Sequence, residues 1–261
     1  MKRTIVTAAV MALAGTAAIP ALRAQSGADA QKAVDAAYAK FRTLKEGKNA
    51  DYIPALAKVD PNLFGIAVVT ADGKVYTAGD VKTEVSIQSI SKVFTMAQVI
   101  QDVYKSESDT NQRNQAIGAL MLAYGYIKDN WQQAVDLYTR QCSIGVNAKD
   151  LGMMAATLAF GGKNPATGKQ VMDAAKVPGV LAVMATAGLY DDSGKWLYAT
   201  GLPAKSGVGG GIIAVSPGKF GIAVVSPPLD DAGNSVRAQR AITEISNALG
   251  GNPYGRAKAG S

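Results

Sequence analysis

Two β-prone pairs of segments at opposite ends of the chain constrain its fold more than any other feature. Phe64 to Thr70 and Lys74 to Ala78 flank Ala71-Asp72-Gly73, a hairpin signal. Far downstream, Gly210 to Val215 and Phe220 to Val225 flank Ser216-Pro217-Gly218-Lys219, whose Pro-Gly marks a turn. Helical spacing of apolar residues fills the interval and predicts helices near 112–127, 131–142, 148–160 and 177–188. The same spacing predicts a helix from Asp29 to Phe41 and a last one from about Ser235 to Leu249. Strands at both ends with helices between imply an α/β (α+β) chain. Its one antiparallel sheet takes strands from distant parts of the sequence, at about 62–80 and 210–225, and its helical part lies at about 89–190.

The first residues read as an export signal. Lys2 and Arg3 form a basic end, Thr4 to Ala18 is an apolar and small-residue run, and Pro20 to Ala24 suits a cleavage region. The run is short for a membrane span, which needs roughly 20 apolar residues. Cutting after Ala24 removes Lys2, Arg3 and Arg23 and no acid, so the net charge of +7 falls to +4 and 237 of the 261 residues remain. The expectation is a signal over 1–24, a single catalytic domain over 25–261, a periplasmic or secreted location, and no membrane attachment after cleavage. The mild positive surplus is scattered, without basic runs interleaved with aromatics, which argues against nucleic acid as a partner. Cys142 is the only cysteine, so no intramolecular disulfide can form, and a buried core role suits it better than that of a nucleophile. With no histidine and no second cysteine, a zinc site is not expected.

The lack of histidine also bears on catalysis, because it rules out a Ser-His-Asp triad. The S-x-x-K alternative survives at Ser89 and Lys92, ahead of Val93, Met96, Ala97 and Ile100 at helical spacing. One turn apart on one helix face, the lysine could reach the serine hydroxyl, and the helix N-terminus would favour a developing oxyanion. A second match, Ser216 with Lys219, falls on the hairpin turn. On spacing alone, a surface serine and lysine explain the first match as well. The stretch Gly201 to Gly211 contains Lys205-Ser206-Gly207 leading into an apolar strand, similar to the Lys-Thr-Gly strand of acyl-serine enzymes. Its glycines would let a substrate lie against the strand edge, where a backbone N–H can serve an oxyanion. A glycine-rich strand start with no further role is the competing reading.

Further runs carry a resemblance. They are Tyr52-Ile-Pro-Ala-Leu-Ala57, Ile87-Gln-Ser-Ile-Ser-Lys-Val-Phe94, Glu107 through Arg113-Asn114-Gln-Ala-Ile117, and Leu137-Tyr-Thr-Arg-Gln-Cys-Ser-Ile144. Gly188-Leu-Tyr-Asp191, Gly201 to Gly210, Ser226-Pro-Pro-Leu-Asp230 and Gly233-Asn-Ser235 follow. In this order, and over nearly all of the chain after residue 50, the sequence resembles the bacterial serine-dependent glutaminases. These are enzymes of the serine β-lactamase-like fold that hydrolyse glutamine to glutamate and ammonia. The resemblance implies Ser89 as nucleophile, Lys92 as its base and Tyr190 as an aid to proton transfer. It implies an oxyanion hole from the N–H groups of Ser89 and Val208, and substrate contacts from Glu107, Asn114, Tyr138 and Tyr52. Glutamine as small-molecule substrate, no cofactor and a homo-oligomer are implied with it.

The chain departs from the family in one place. Only fourteen residues separate Lys92 from Glu107, where the family carries several tens more, including an asparagine that binds substrate. A catalytically impaired, amino-acid-binding remnant is therefore an alternative to an active glutaminase. A β-lactamase or penicillin-binding-type enzyme is a further alternative, although its Ser-Asp-Asn element is missing.

Overall fold

The structure, a computed structural model, describes residues 27–93, 108 and 111–255. The expected signal over 1–24 and the helical spacing after Val93 lie outside the described residues. Five strands form one antiparallel sheet: β1 (Gly65–Thr70), β2 (Val75–Gly79), β5 (Ala204–Gly207), β6 (Gly211–Ser216) and β7 (Phe220–Val225). Their order is β2-β1-β7-β6-β5, so the two hairpins meet where β1 pairs with β7, Gly65 opposite Val225. A separate two-stranded pair, β3 (Val85–Ser86) with β4 (Gly145–Val146), lies beside the start of the Ser89 segment.

Side-chain alternation divides the core into two layers, one on each face of the sheet. Ile66, Val68, Ile212, Ala214, Ile222 and Val224 point to one face, against helices α1 (Gly27–Phe41) and α8 (Val236–Ala248). Ala67, Ile213, Val215, Ala223 and Val225 point to the other, against α5 (Ala148–Ala159). Helix α5 lies very close to β7. A Cβ at Gly221 would stand 2.1 Å from the backbone nitrogen of Ala156, so only glycine permits this approach.

The remaining helices are α2 (Pro54–Ala57), α3 (Gln112–Ala123), α4 (Trp131–Cys142), α6 (Val177–Ala187) and α7 (Ser193–Thr200). Helix α3 ends four residues before the predicted boundary, and α2 and α7 have no counterpart among the predicted helices. Caps are written in the sequence. Asn130 accepts from the Gln133 N–H, Asn147 and Asp150 form a capping box, and Ser235 accepts from the Ala238 N–H. Arg237, 1% exposed, ties the two ends together by donating to the carbonyls of Leu44, Pro61 and Asn62.

Candidate active site

Ser89 and Lys92 sit on a six-residue 3₁₀ turn, Gln88–Val93, not on an α-helix as the spacing predicts. The tighter turn eclipses residues three apart, which brings the pair together. Lys92 Nζ donates to Ser89 Oγ at 2.8 Å and lies 4.9 Å from the centre of the Tyr138 ring. The Tyr138 hydroxyl is 3.4 Å from Ser89 Oγ. Just before the serine, Gln88 holds a left-handed φ of 50° although it is not glycine. Such strain persists only where its surroundings enforce it. Gln88 is buried, and its amide donates to Ser86 Oγ at 3.0 Å.

The edge strand β5 forms the opposite wall. A Cβ at Gly207 would meet the Ile87 carbonyl oxygen at 2.8 Å and the Ser89 nitrogen at 3.4 Å, so the strand end rests directly on the serine's backbone. Val208 follows and packs against the small core cluster of Ala50, Ile53, Leu56 and Leu229. The Lys-Ser-Gly triplet is thus itself an edge strand rather than the lead-in to one.

Tyr190 is the second residue with a strained backbone, at φ 50°. Burial pushes its phenol up to about 12, against hydrogen bonds with Ser89 and Ser206 that pull it down. The phenol therefore keeps its proton at any ordinary working pH and can serve as a donor. Tyr52, 59% exposed, acts electrostatically on Tyr190, which sets it at the same site from the solvent side.

Lys205 was prominent in the sequence as part of a motif but not as a site residue. It is 7% exposed, and its Nζ donates to the carbonyls of Gly188 at 3.0 Å and Ser206 at 2.6 Å. The same Nζ stands 4.8 Å from the centre of the Tyr190 ring. Burial first, and the Lys92 cation second, bring its pKa down to about 7. A lysine preceding a serine and a glycine does not announce burial, so the sequence carried only the motif as a signal.

The other expected residues divide. Asn114 joins the site at one remove: it donates to Asn111, which donates to Thr139, the neighbour of Tyr138. Glu107 lies outside the described residues. Cys142 is fully buried, with Sγ 3.8 Å from Ser91 Oγ, a core position as expected. The second S-x-x-K match is structural. Ser216 donates to the Gly251 carbonyl and Lys219 to that of Gly250, fastening the β6–β7 turn to the end of the last helix.

A comparison with known families matches one model, described as glutaminase, in two overlapping stretches, residues 47–105 and 97–254. The glutaminase of Colwellia psychrerythraea strain 34H is 44% identical over 301 residues, covering 86% of this chain and 97% of that protein. Because 86% of 261 residues is about 224, about 77 of the 301 aligned positions face no residue here. Among solved structures, a probable glutaminase, ybaS, is 36% identical with a TM-score of 0.85, covering 88% of this chain and 99% of that one. Mglu in its glutamate form is 28% identical with a TM-score of 0.82, covering 87% of this chain and 70% of that one. The architecture is accordingly the serine β-lactamase-like fold.

Proposed function

The chain belongs to the glutaminase family, and on that premise we propose that it converts L-glutamine and water to L-glutamate and ammonia through an acyl-enzyme on Ser89. The observation that carries the reading is the 2.8 Å contact between Lys92 Nζ and Ser89 Oγ. In its amine form Lys92 takes the hydroxyl proton, and Oγ attacks the side-chain amide carbon of glutamine. The oxyanion forms against the N–H groups of Ser89 and Val208, where fixed donors are worth most. Collapse breaks the C–N bond. The departing nitrogen takes a proton from the Tyr190 phenol, which regains one from the Lys92 ammonium, and ammonia leaves. Water then attacks the acyl carbon, yields its proton through Lys92 to Ser89 Oγ, and glutamate is released.

The substrate is a zwitterion. Glu107 suits its ammonium, and the neutral donors Asn114, Tyr138 and Tyr52 suit the rest of the molecule. Ammonia release from glutamine by the purified protein, beside Ser89→Ala, tests the reading. Equal rates for the two proteins would sink it. A second reading, binding of an amino acid without turnover, is favoured by the positions missing relative to the Colwellia enzyme. Calorimetry with glutamine and glutamate beside the ammonia assay separates the two.

We further read residues 1–24 as an export signal that delivers the protein to the periplasm or the medium, as its basic end and apolar run support. Assembly as a homo-oligomer belongs to the same proposal. The mass of the protein recovered from a periplasmic fraction, and light scattering on it, test both.

A further inference from the structure

Tyr190 rests on a loop that has no part in the proposed reaction. The loop, 230–235, leads from the end of β7 into α8. A Cβ on Gly233 would stand 3.6 Å from Cε2 of Tyr190 and 3.8 Å from Cγ1 of Val208, so the loop lies against both residues. Asn234 follows and is fully buried. Its Nδ2 donates to the Leu189 carbonyl at 3.2 Å, and among the described residues its Oδ1 has no hydrogen-bond partner. The reverse orientation of the amide would set oxygen against oxygen, so the nitrogen is the group that faces Leu189. Leaving half of a buried carboxamide unmatched is costly, and departures of that kind concentrate at functional sites. The base of this contact is firmly held. Asp230 accepts from the Asn234 N–H at 2.8 Å, and its own N–H donates to the Asn234 carbonyl at 2.9 Å. Gln239 of α8 donates to the other Asp230 oxygen at 2.7 Å, and Ser235 donates to the Ser226 carbonyl just beyond β7 at 2.6 Å.

The Leu189 carbonyl belongs to the planar peptide unit whose rotation about the next N–Cα bond is the φ of Tyr190. Holding its oxygen therefore holds φ. Released, the backbone would relax toward the negative φ that a tyrosine prefers, and the ring would swing with it. Ser193 fastens the same turn locally: its Oγ accepts from the Leu189 N–H at 3.0 Å and donates to the Tyr190 carbonyl at 2.8 Å. The bond from Asn234 comes from 45 residues further along the chain and ties the turn to the base of α8. We infer that Asn234 is a positioning residue for Tyr190: by donating to the Leu189 carbonyl it fixes the left-handed backbone that aims the phenol at Ser89. Its consequence for turnover rests on the glutaminase reading. Its effect on the conformation of Tyr190 does not.

The experiment joins crystal structures to a double-mutant cycle in the full-length protein. Asn234→Leu keeps the volume of the side chain and removes its donor. In that variant Tyr190 should leave the left-handed region, and its phenol should lie beyond hydrogen-bond distance of Ser89 Oγ. In ammonia release kcat should fall at least about tenfold, with KM changed less than about twofold, since small misplacements of a reacting group are costly. In a Tyr190→Phe background the same substitution should cost less than about twofold more, because no phenol is left to misplace. A general loss of packing would lower kcat by one factor in both backgrounds, and that result overturns the inference. So does a Tyr190 φ that stays near 50° in Asn234→Leu. Asn234→Ala, read in the same way, takes its place if the leucine variant does not fold. The structures keep the two ideas apart. A displaced Tyr190, beside a wild type that turns over no glutamine, supports the positioning and removes the glutaminase reading. Wild-type turnover with Tyr190 unmoved in the variant does the reverse.

Discussion

Lys92 donates to Ser89 across 2.8 Å because a 3₁₀ turn, not an α-helix, carries both residues. The remaining walls of the site are arranged around this contact. β5 presses on the serine's backbone, and Tyr138 and Tyr190 flank its hydroxyl.

Lys92→Met keeps the length and apolar body of the side chain and removes the proton acceptor. Ammonia release from glutamine should fall at least about 100-fold, the lower end of general-base contributions. A coupled ammonia assay reads it. Retained activity would mean that another group deprotonates Ser89.

Tyr190→Phe keeps the ring beneath Lys205 and deletes the phenol. We expect kcat to fall by about 100-fold, with the melting temperature little changed. The pH profile adds a sharper check. With the phenol pushed up to about 12, Tyr190 contributes no decline in rate below pH 10. An alkaline limb in that range that vanished in Tyr190→Phe would contradict this.

Lys205 should make the fold more stable as pH rises. Its ammonium loses its proton near 7 in the folded chain and near the ordinary lysine value of 10.5 when unfolded. Between those values the unfolded chain binds more protons, so unfolding free energy climbs with pH, by at most about 1.4 kcal/mol per unit for one group. The chain has no histidine, which leaves this window unusually clear. Melts at pH 7 and pH 9 should show wild type gaining stability and Lys205→Met gaining less.

Gly207→Ala should damage the site more than the fold. The new methyl would sit 2.8 Å from the Ile87 carbonyl and 3.1 Å from Gln88 Cβ, on the segment that holds the serine. Overpacking of this kind costs about 1–3 kcal/mol. We expect kcat to drop at least about tenfold as the 88–93 turn shifts, while thermal unfolding stays cooperative. Kinetics and calorimetry on the same sample distinguish loss of geometry from loss of folding.

Most of the fold was legible because its strands and helices have clear periods. The hairpins at 65–79 and 211–225 and the helices near 131–142, 148–159 and 177–187 fall within a residue or two of the predicted ranges. What escaped was set by tertiary contact. Neither α7 nor the four-residue strand at Lys205 has a period long enough to detect, and the 3₁₀ turn at Ser89 shares its spacing with an α-helix. At the site, the residue types of Ser89, Lys92 and Tyr190 were readable from motifs. The strained φ angles of Gln88 and Tyr190 were not, since neither is a residue that prefers that conformation. The burial of Lys205 was equally silent, because it comes from the packing of strand against turn.

The pairing of Gly65 with Val225 has a consequence for how this protein is made. The N-terminal hairpin emerges from the ribosome long before β7 exists, so its central edge stays open until nearly the whole chain has been synthesised. Sheet closure, and with it the wall that β5 offers to Ser89, is a late and cooperative event. Everything between the two hairpins behaves as an insertion into that closure. Shortening it by the positions missing relative to the Colwellia enzyme changes the cost of bringing the ends together by only about 0.5 kcal/mol on loop-closure scaling. On this entropic term alone, residues lost from the middle of the chain barely change the cost of bringing β1 to β7.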